Sequence, residues 1–144
     1  MKYSYKFSDA IHILSYLYIF RTGDLSSKAI ANSIGSNPSV VRKLMSDLRE
    51  AGLIETQQGA AKPVLAKTPQ KINLLDIFQA LKMDHHFLHV DPKTNPQSVV
   101  GSNIQDTLSH LYGEIEQAAF ERMSKITLQE VLNELLRRQR SNNN

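Results

Sequence analysis

Cysteine and tryptophan are absent from this 144-residue chain, and aromatic residues make up only 7% of it. Without cysteine there is no disulfide, no thiolate metal site and no cysteine nucleophile. Glycine and proline are sparse, at six and five residues, so each one reads as local punctuation. No stretch of about 18 apolar residues free of charge occurs, which excludes an expected membrane helix. The apolar run Tyr16 to Phe20 is short and ends at Arg21. The first residues lack a signal-peptide cleavage pattern, so a cytoplasmic protein is expected. A Gly-rich phosphate loop, an HExxH pair and a nucleophile elbow are also missing. Carboxylates are scattered at helical positions, and Ser98 and Ser102 have no sequence-evident base. Catalysis therefore has little support, and no enzyme is expected.

What is present is a domain-sized chain with a 41% apolar fraction, enough for one core plus an appendage. The net charge of +3 is modest, but it is unevenly placed. Residues 26–71 hold seven Lys or Arg against three acids, and residues 72–144 hold seven against nine. A field that attracts polyanions would be local to the first of these regions.

That region contains Leu25 to Ile54, LSSKAIANSIGSNPSVVRKLMSDLREAGLI. It reads as two helices joined by a tight glycine turn, the layout of a DNA-reading helix-turn-helix. A first helix over Tyr5–Arg21 precedes it, with Ser8 as expected cap and Ile11, Leu14, Leu17 and Tyr18 at helical spacing. Helix two spans Ser27 to Ile34 with Ser26 as N-cap, and Gly35 can take the left-handed conformation that turns the chain. Asn37 is a good N-cap for helix three, and Pro38 suits the first helical position because no donor is needed there. Val41, Leu44, Met45 and Leu48 form the expected buried stripe, leaving Ser39, Arg42, Lys43 and Ser46 on other faces. Gly52 ends this helix. Leu53–Gln57 and Val64–Lys67 read as strands around a turn at Gln58–Pro63, a hairpin wing. Ile72–Met83 is a further helix with Asn73 as cap.

The sequence predicts a mostly α fold with a small β wing: a winged helix-turn-helix plus a long C-terminal dimerisation helix. Residues 1–83 form the winged helix-turn-helix DNA-binding domain and 84–102 a hinge loop broken by Pro92 and Pro96. Residues 103–136 carry the dimerisation helices, and 137–144 are expected to be a frayed or disordered tail. From Asn103 to about Met123, Ile104, Leu108, Leu111, Ile115 and Ala118 are spaced four, three, four and three, a heptad seam. Asp106, Glu114, Glu116, Glu121 and Arg122 are expected on its solvated flanks. The alternative use of the seam is packing on the chain's own core. A dimer is favoured because two readers about one DNA turn apart can read a palindrome. Thr127–Leu136 forms a final amphipathic helix.

Candidate DNA contacts follow from residue chemistry. Arg42 can bind guanine O6 and N7 with two parallel hydrogen bonds, and Lys43 offers a looser version. Val40 can touch a thymine methyl, and Ser39 a phosphate or base edge. Ser27 and Lys28 start helix two. Gln58 and Lys62 belong to the wing, and Lys2 and Tyr3 add possible backbone contacts. His85, His86 and His89, with Asp84 and Asp91 nearby, are the one cluster of potential metal ligands, a weak candidate set since zinc wants three or four convergent donors. A polar or titrating hinge is the plainer reading.

Residues 1–136 resemble the Rrf-two family of bacterial winged-helix repressors, which includes iron–sulfur and nitric-oxide sensors and a cysteine-metabolism repressor. The resemblance rests on KYSYKFSDAIHILSYL, IANSIGSNPSVVRKLMSDLREAGLI, the wing QGAAKPVLAK and INLLDIFQAL, in that order and spacing. NPSVVRKL and NPQSVVGSNI most resemble the YwnA-like branch. The resemblance implies a homodimer, a long dimerisation helix and operator binding. Cluster-binding members carry three cysteines before the long helix; this chain has none, so no cofactor carries over. The branch's loop cysteine before a Pro-Val-Gly turn is replaced by the run Ser98-Val99-Val100-Gly101, and the wing has Lys62-Pro63-Val64 in place of Gly-Gly-Tyr.

The expected function is a homodimeric transcriptional repressor on a palindromic operator, with double-stranded DNA as partner, no membrane and an unidentified small-molecule or protein effector. Its rivals are a winged helix that binds a protein and a histidine-based metal sensor. An effector pocket is expected between the reader core, the 72–83 helix and the long helix.

Overall fold

The computed structural model describes residues 4–57, 59 and 62–143. Helix α1 (Lys6–Ile19) runs into α2 (Ser27–Ile34) and α3 (Pro38–Glu50), then strands β1 (Ile54–Gln57) and β2 (Lys62–Leu65). A 3-10 turn over Pro69–Lys71 leads to α4 (Leu74–Ala80), a long loop, α5 (Ile104–Lys125) and α6 (Leu128–Asn142). The expected mostly helical, winged architecture is the one observed.

The helix ends around the reader follow local chemistry. The Ser26 hydroxyl accepts from Ala29 N at 3.1 Å, and Asn37 Oδ1 accepts from Val40 N at 3.0 Å. Gly35 closes α2 at φ +78°, where a Cβ would be strained, and donates to the Ala31 carbonyl. Asn73 and Asp76 form a reciprocal capping box at the start of α4. The first helix differs from expectation. Ser8 is not its cap; α1 starts at Lys6, whose N–H reaches Ser4 Oγ at 3.3 Å. Ala10, Ile13, Leu14 and Leu17 face the core, while Ile11 and Tyr18 are only half-buried.

The core joins α1 to the stripe Val41, Leu44, Met45 and Leu48 of α3, to Ile30 and Ala31 of α2, and to Ile72, Ile77, Leu128 and Leu132. The wing pairs antiparallel, Ile54 with Leu65 through Gln57 with Lys62. Its second strand therefore begins at Lys62, two residues before the expected start, and contains Pro63. A two-stranded ribbon tolerates this because its outer edge needs no donor.

After α5 the chain returns. Leu128 N donates to the Ile72 carbonyl at 2.7 Å and Leu74 N to the Ile126 carbonyl at 2.9 Å, a short strand-like clasp that seats α6 against the DNA-reading half. The expected frayed tail is helical to Asn142. Glu134 accepts from Arg137 at 2.6 and 2.9 Å and from Arg138 at 2.8 Å, pairs that support a helix one turn on. These arginines hold the Glu134 carboxyl down at about 2, chiefly through the Arg137 hydrogen bond. Among the described residues, no helix is long and apolar enough to cross a membrane.

Candidate nucleic-acid interface

Helix α3 divides cleanly. Val41, Leu44, Met45, Asp47 and Leu48 are buried, and Ser39, Val40, Arg42, Lys43, Ser46 and Arg49 are exposed. The apolar stripe, anchored in the core, fixes the roll of the helix and so aims the polar residues outward. Arg42 makes no hydrogen bond or ion pair among the described residues and shares a shallow cleft of about 1030 Å³ with Ser27 and Lys28 of α2. Three of the candidate contacts are therefore brought to one concave surface. Val40 sits beside it, 38% exposed.

Two neighbours are partly committed elsewhere. Ser39 Oγ donates to Asn37 Oδ1 at 2.6 Å, so its proton serves the helix cap. Lys43 Nζ lies 3.6 Å from Asp47 Oδ1, an i,i+4 pair in which the lysine is exposed and the carboxylate buried. Lys62 is exposed at the start of β2. Gln58, Lys2 and Tyr3 lie outside the described residues.

Asp47 was not singled out by sequence. It is 2% exposed on the reader, and its Oδ2 has no partner among the described residues. Lys82, after α4, reaches Asp47 Oδ1 at 4.0 Å and Glu50 Oε2 at 2.9 Å. The hydrogen bond and charge of Glu50 raise the Lys82 pKa, and Lys82 lowers that of Glu50. The base of the hinge is thus tied to the far end of the recognition helix. The i,i+4 spacing of Lys43 and Asp47 was a legible signal; the Lys82 contact, made across the fold, was not.

At its other side the hinge is tied to α5. Glu116, expected on a solvated flank, is 5% exposed. Its carboxylate accepts from Phe87 N at 2.7 Å and Leu88 N at 3.3 Å, and lies 3.0 Å from His86 Nδ1. The His86 hydrogen bond lowers the Glu116 pKa, and Glu116 in turn raises that of His86. No sequence periodicity marks Glu116, because what buries it is a loop 28 to 30 residues away.

The three hinge histidines have separate partners. His85 Nε2 lies 3.2 Å from the Leu81 carbonyl and its ring packs on Phe78, His86 meets Glu116, and His89 lies 3.5 Å from Asp84. Among the described residues no three His, Asp or Glu side chains converge as a metal site. The junction expected to hold an effector is packed. The junction of α1, α4 and α5 is filled by aromatic packing: Phe78 meets Phe7 at 5.3 Å and Phe120 at 5.6 Å, and Phe120 meets Phe87 at 5.9 Å. A cavity of about 430 Å³ opens instead between α1 and α6.

Two small helices crossing at a glycine turn, an exposed basic face on the second and a β ribbon behind it define a winged helix-turn-helix DNA-binding protein. The comparisons sharpen that class. Residues 3–134 match the model of the Rrf2 family, described as an iron-dependent transcriptional regulator. The chain belongs to the Rrf2 family of DNA-binding transcriptional regulators, which are not enzymes. It is 32% identical over 126 residues to YwnA of Bacillus subtilis (strain 168), named as an HTH-type transcriptional regulator, covering 88% of this chain and 93% of that protein. CymR of B. subtilis, titled the global cysteine regulator, matches at 25% identity with a TM-score of 0.66, covering 92% and 97% of the two chains. IscR of T. potens shares the fold, with a TM-score of 0.68 at 24% identity over 94% of this chain and 88% of that one.

The family description raises the question of iron. A thiolate-held cluster has no ligand in a chain without cysteine, and the hinge histidines that stand before α5 point to three different partners. The residues present do not fit that group.

Proposed function

We propose that this regulator is a homodimeric repressor that reads a palindromic or pseudo-palindromic operator and acts without an iron–sulfur cluster, in the cytoplasm. The observation that carries the reading is the outward face of α3, where Arg42 stands exposed beside Ser27 and Lys28 while the opposite stripe is buried. In this reading Arg42 makes the two-pronged guanine contact, and Val40 meets a thymine methyl. Lys43 leaves Asp47 for a base or phosphate. Ser27, Lys28, Ser39 and Lys62 position the backbone, with Gln58, Lys2 and Tyr3 as further contacts.

The dimer is proposed to form through the α5 seam. Leu111 is 45% exposed and Ile115 52% exposed, and Ala118 is also exposed. Ile104 and Leu108 are half-covered. The opposite side of α5, with Glu116 and Phe120, packs on the chain's own hinge and α4. Residues 1–83 then act as reader, 84–102 as hinge and 103–136 as dimerisation unit. An effector that favours one spacing of the two readers by a few kcal/mol changes operator occupancy.

Selection of bound duplexes from a random library tests the reading. Recovered sites with two-fold symmetry and half-sites about 34–36 Å apart are expected. Recovery of no preferred sequence, or of a lone asymmetric half-site, overturns it.

A further inference from the structure

Of the two carboxylates on α3, Glu50 is exposed and Asp47 is buried. Local helix physics disfavours Asp47 where it stands. It lies in the last turn of α3, where unpaired carbonyls repel an anion. Its lysine partner precedes it in the chain, the weaker order for an i,i+4 ion pair. Burial strips water from the charge, and Oδ2 has no hydrogen-bond partner among the described residues. Two ammonium groups lie on the other oxygen, Lys43 Nζ at 3.6 Å and Lys82 Nζ at 4.0 Å.

Those two lysines are held differently. Lys43 has its side chain 64% exposed on the outward face of α3. Lys82 is fixed from across the fold: its Nζ is 2.9 Å from Glu50 Oε2, and its carbonyl accepts from Lys6 Nζ at 3.2 Å. Stripping a buried carboxylate of its last cation is far more costly than exchanging one cation for another. With Lys82 in place, Lys43 can turn to DNA without leaving Asp47 bare.

We propose that Asp47 is a positioning residue for DNA reading: it parks the Lys43 ammonium on α3, and Lys82 takes over its charge when Lys43 engages a base edge. The inference rests on the reading of α3 as the recognition helix and adds what sets the aim of Lys43. The arrangement also favours selectivity. A loose contact to unselected DNA must compete with Asp47 for the lysine and gains little, whereas a well-formed base contact wins. Burial keeps the carboxylate itself from facing the phosphates.

Full-length Asp47→Asn keeps the shape and removes the charge. Affinities are titrated for the best duplex recovered from a random library and for a random-sequence duplex of the same length, at several salt concentrations. In Asp47→Asn the ratio of the two affinities should fall about tenfold, with tighter binding of the random duplex and relaxed preference at one base pair. Lys82→Met should weaken the selected duplex about tenfold and leave its salt dependence unchanged, because Lys82 neutralises no phosphate. Combining the two should restore the binding of Asp47→Asn alone, as no buried charge is left to compensate. An unchanged ratio in an Asp47→Asn chain of natural helix content by circular dichroism overturns the positioning role. Should that variant not fold, Lys82→Met decides: equal weakening of both duplexes, or a salt slope lowered by about one, overturns the exchange. A library that yields no preferred duplex overturns this inference together with the recognition-helix reading, whereas a preferred duplex with an unchanged ratio overturns this inference alone.

Discussion

Helices α3 and α5 are both amphipathic, yet they bury very different shares of their residues. Helix α3 buries five of thirteen residues, four of them apolar, in its own core. Helix α5 buries one of 22, and that one is a carboxylate. The recognition helix is held rigidly so that its polar face can be aimed. The long helix is held by an aromatic contact and a hydrogen-bonded loop, with Leu111, Ile115 and Ala118 of its apolar seam exposed. The contrast separates a helix whose apolar face is covered within the chain from one whose apolar seam is left largely exposed.

The largest effect expected from breaking this contrast lies in α3. Leu48→Ala should cost about 2–5 kcal/mol of stability, as a fully buried leucine leaves a cavity. Denaturant unfolding measures it, and a loss below about 1 kcal/mol would show that the reader core collapses to fill the space. Next is the seam. Leu111→Glu should leave the fold intact and yield monomers in sedimentation, with operator affinity lost as the second reader is lost. A stable dimer would move the interface off α5. Arg42→Ala should then weaken operator binding by about 1–3 kcal/mol and relax preference at one base pair, whereas Lys62→Ala should weaken all sequences evenly and lower the salt dependence. Titrations against operator and single-base variants distinguish the two.

The smallest effect concerns the hinge. His86 is held above its ordinary value of 6.5, chiefly by its hydrogen bond to Glu116, so its contribution is complete below that value and fades as pH rises through the raised one. Glu116 is held below its ordinary 4.5, chiefly by His86, so its contribution is complete above that value and fades as pH falls through the lowered one. The hinge is therefore best attached to α5 between about 4.5 and 6.5. The difference in melting temperature between the natural chain and His86→Gln should shrink from about pH 6 to about pH 9. A constant difference would mean that the pair does not titrate in this range.

The parts visible in sequence are those governed by neighbours along the chain. Asn37 and Pro38 announce the start of α3, Gly35 the turn, and Asn73 the cap of α4. Each depends on backbone geometry within about four residues, so residue type alone decides it. The same holds for the three-to-four spacing of Val41, Leu44 and Leu48. Ser8 misled because a hydroxyl near a helix start is also an ordinary helix-interior residue. Pro63 misled because its place in a strand depends on which edge is free. The tail misled because a polar composition does not reveal that Glu134 meets both Arg137 and Arg138.

By itself, then, the amino-acid order determined the reader: which helices form, where they stop and which residues line the side of α3 that turns away from its stripe. Only the tertiary structure decided how the 84–102 loop and α5 are held. Glu116 is buried by amides of a distant loop, Lys82 bridges the hinge to Asp47 and Glu50, and the open cavity lies between α1 and α6, not at the aromatic junction. Those outcomes depend on contacts between residues far apart in the chain, whose geometry exists only once the helices have packed.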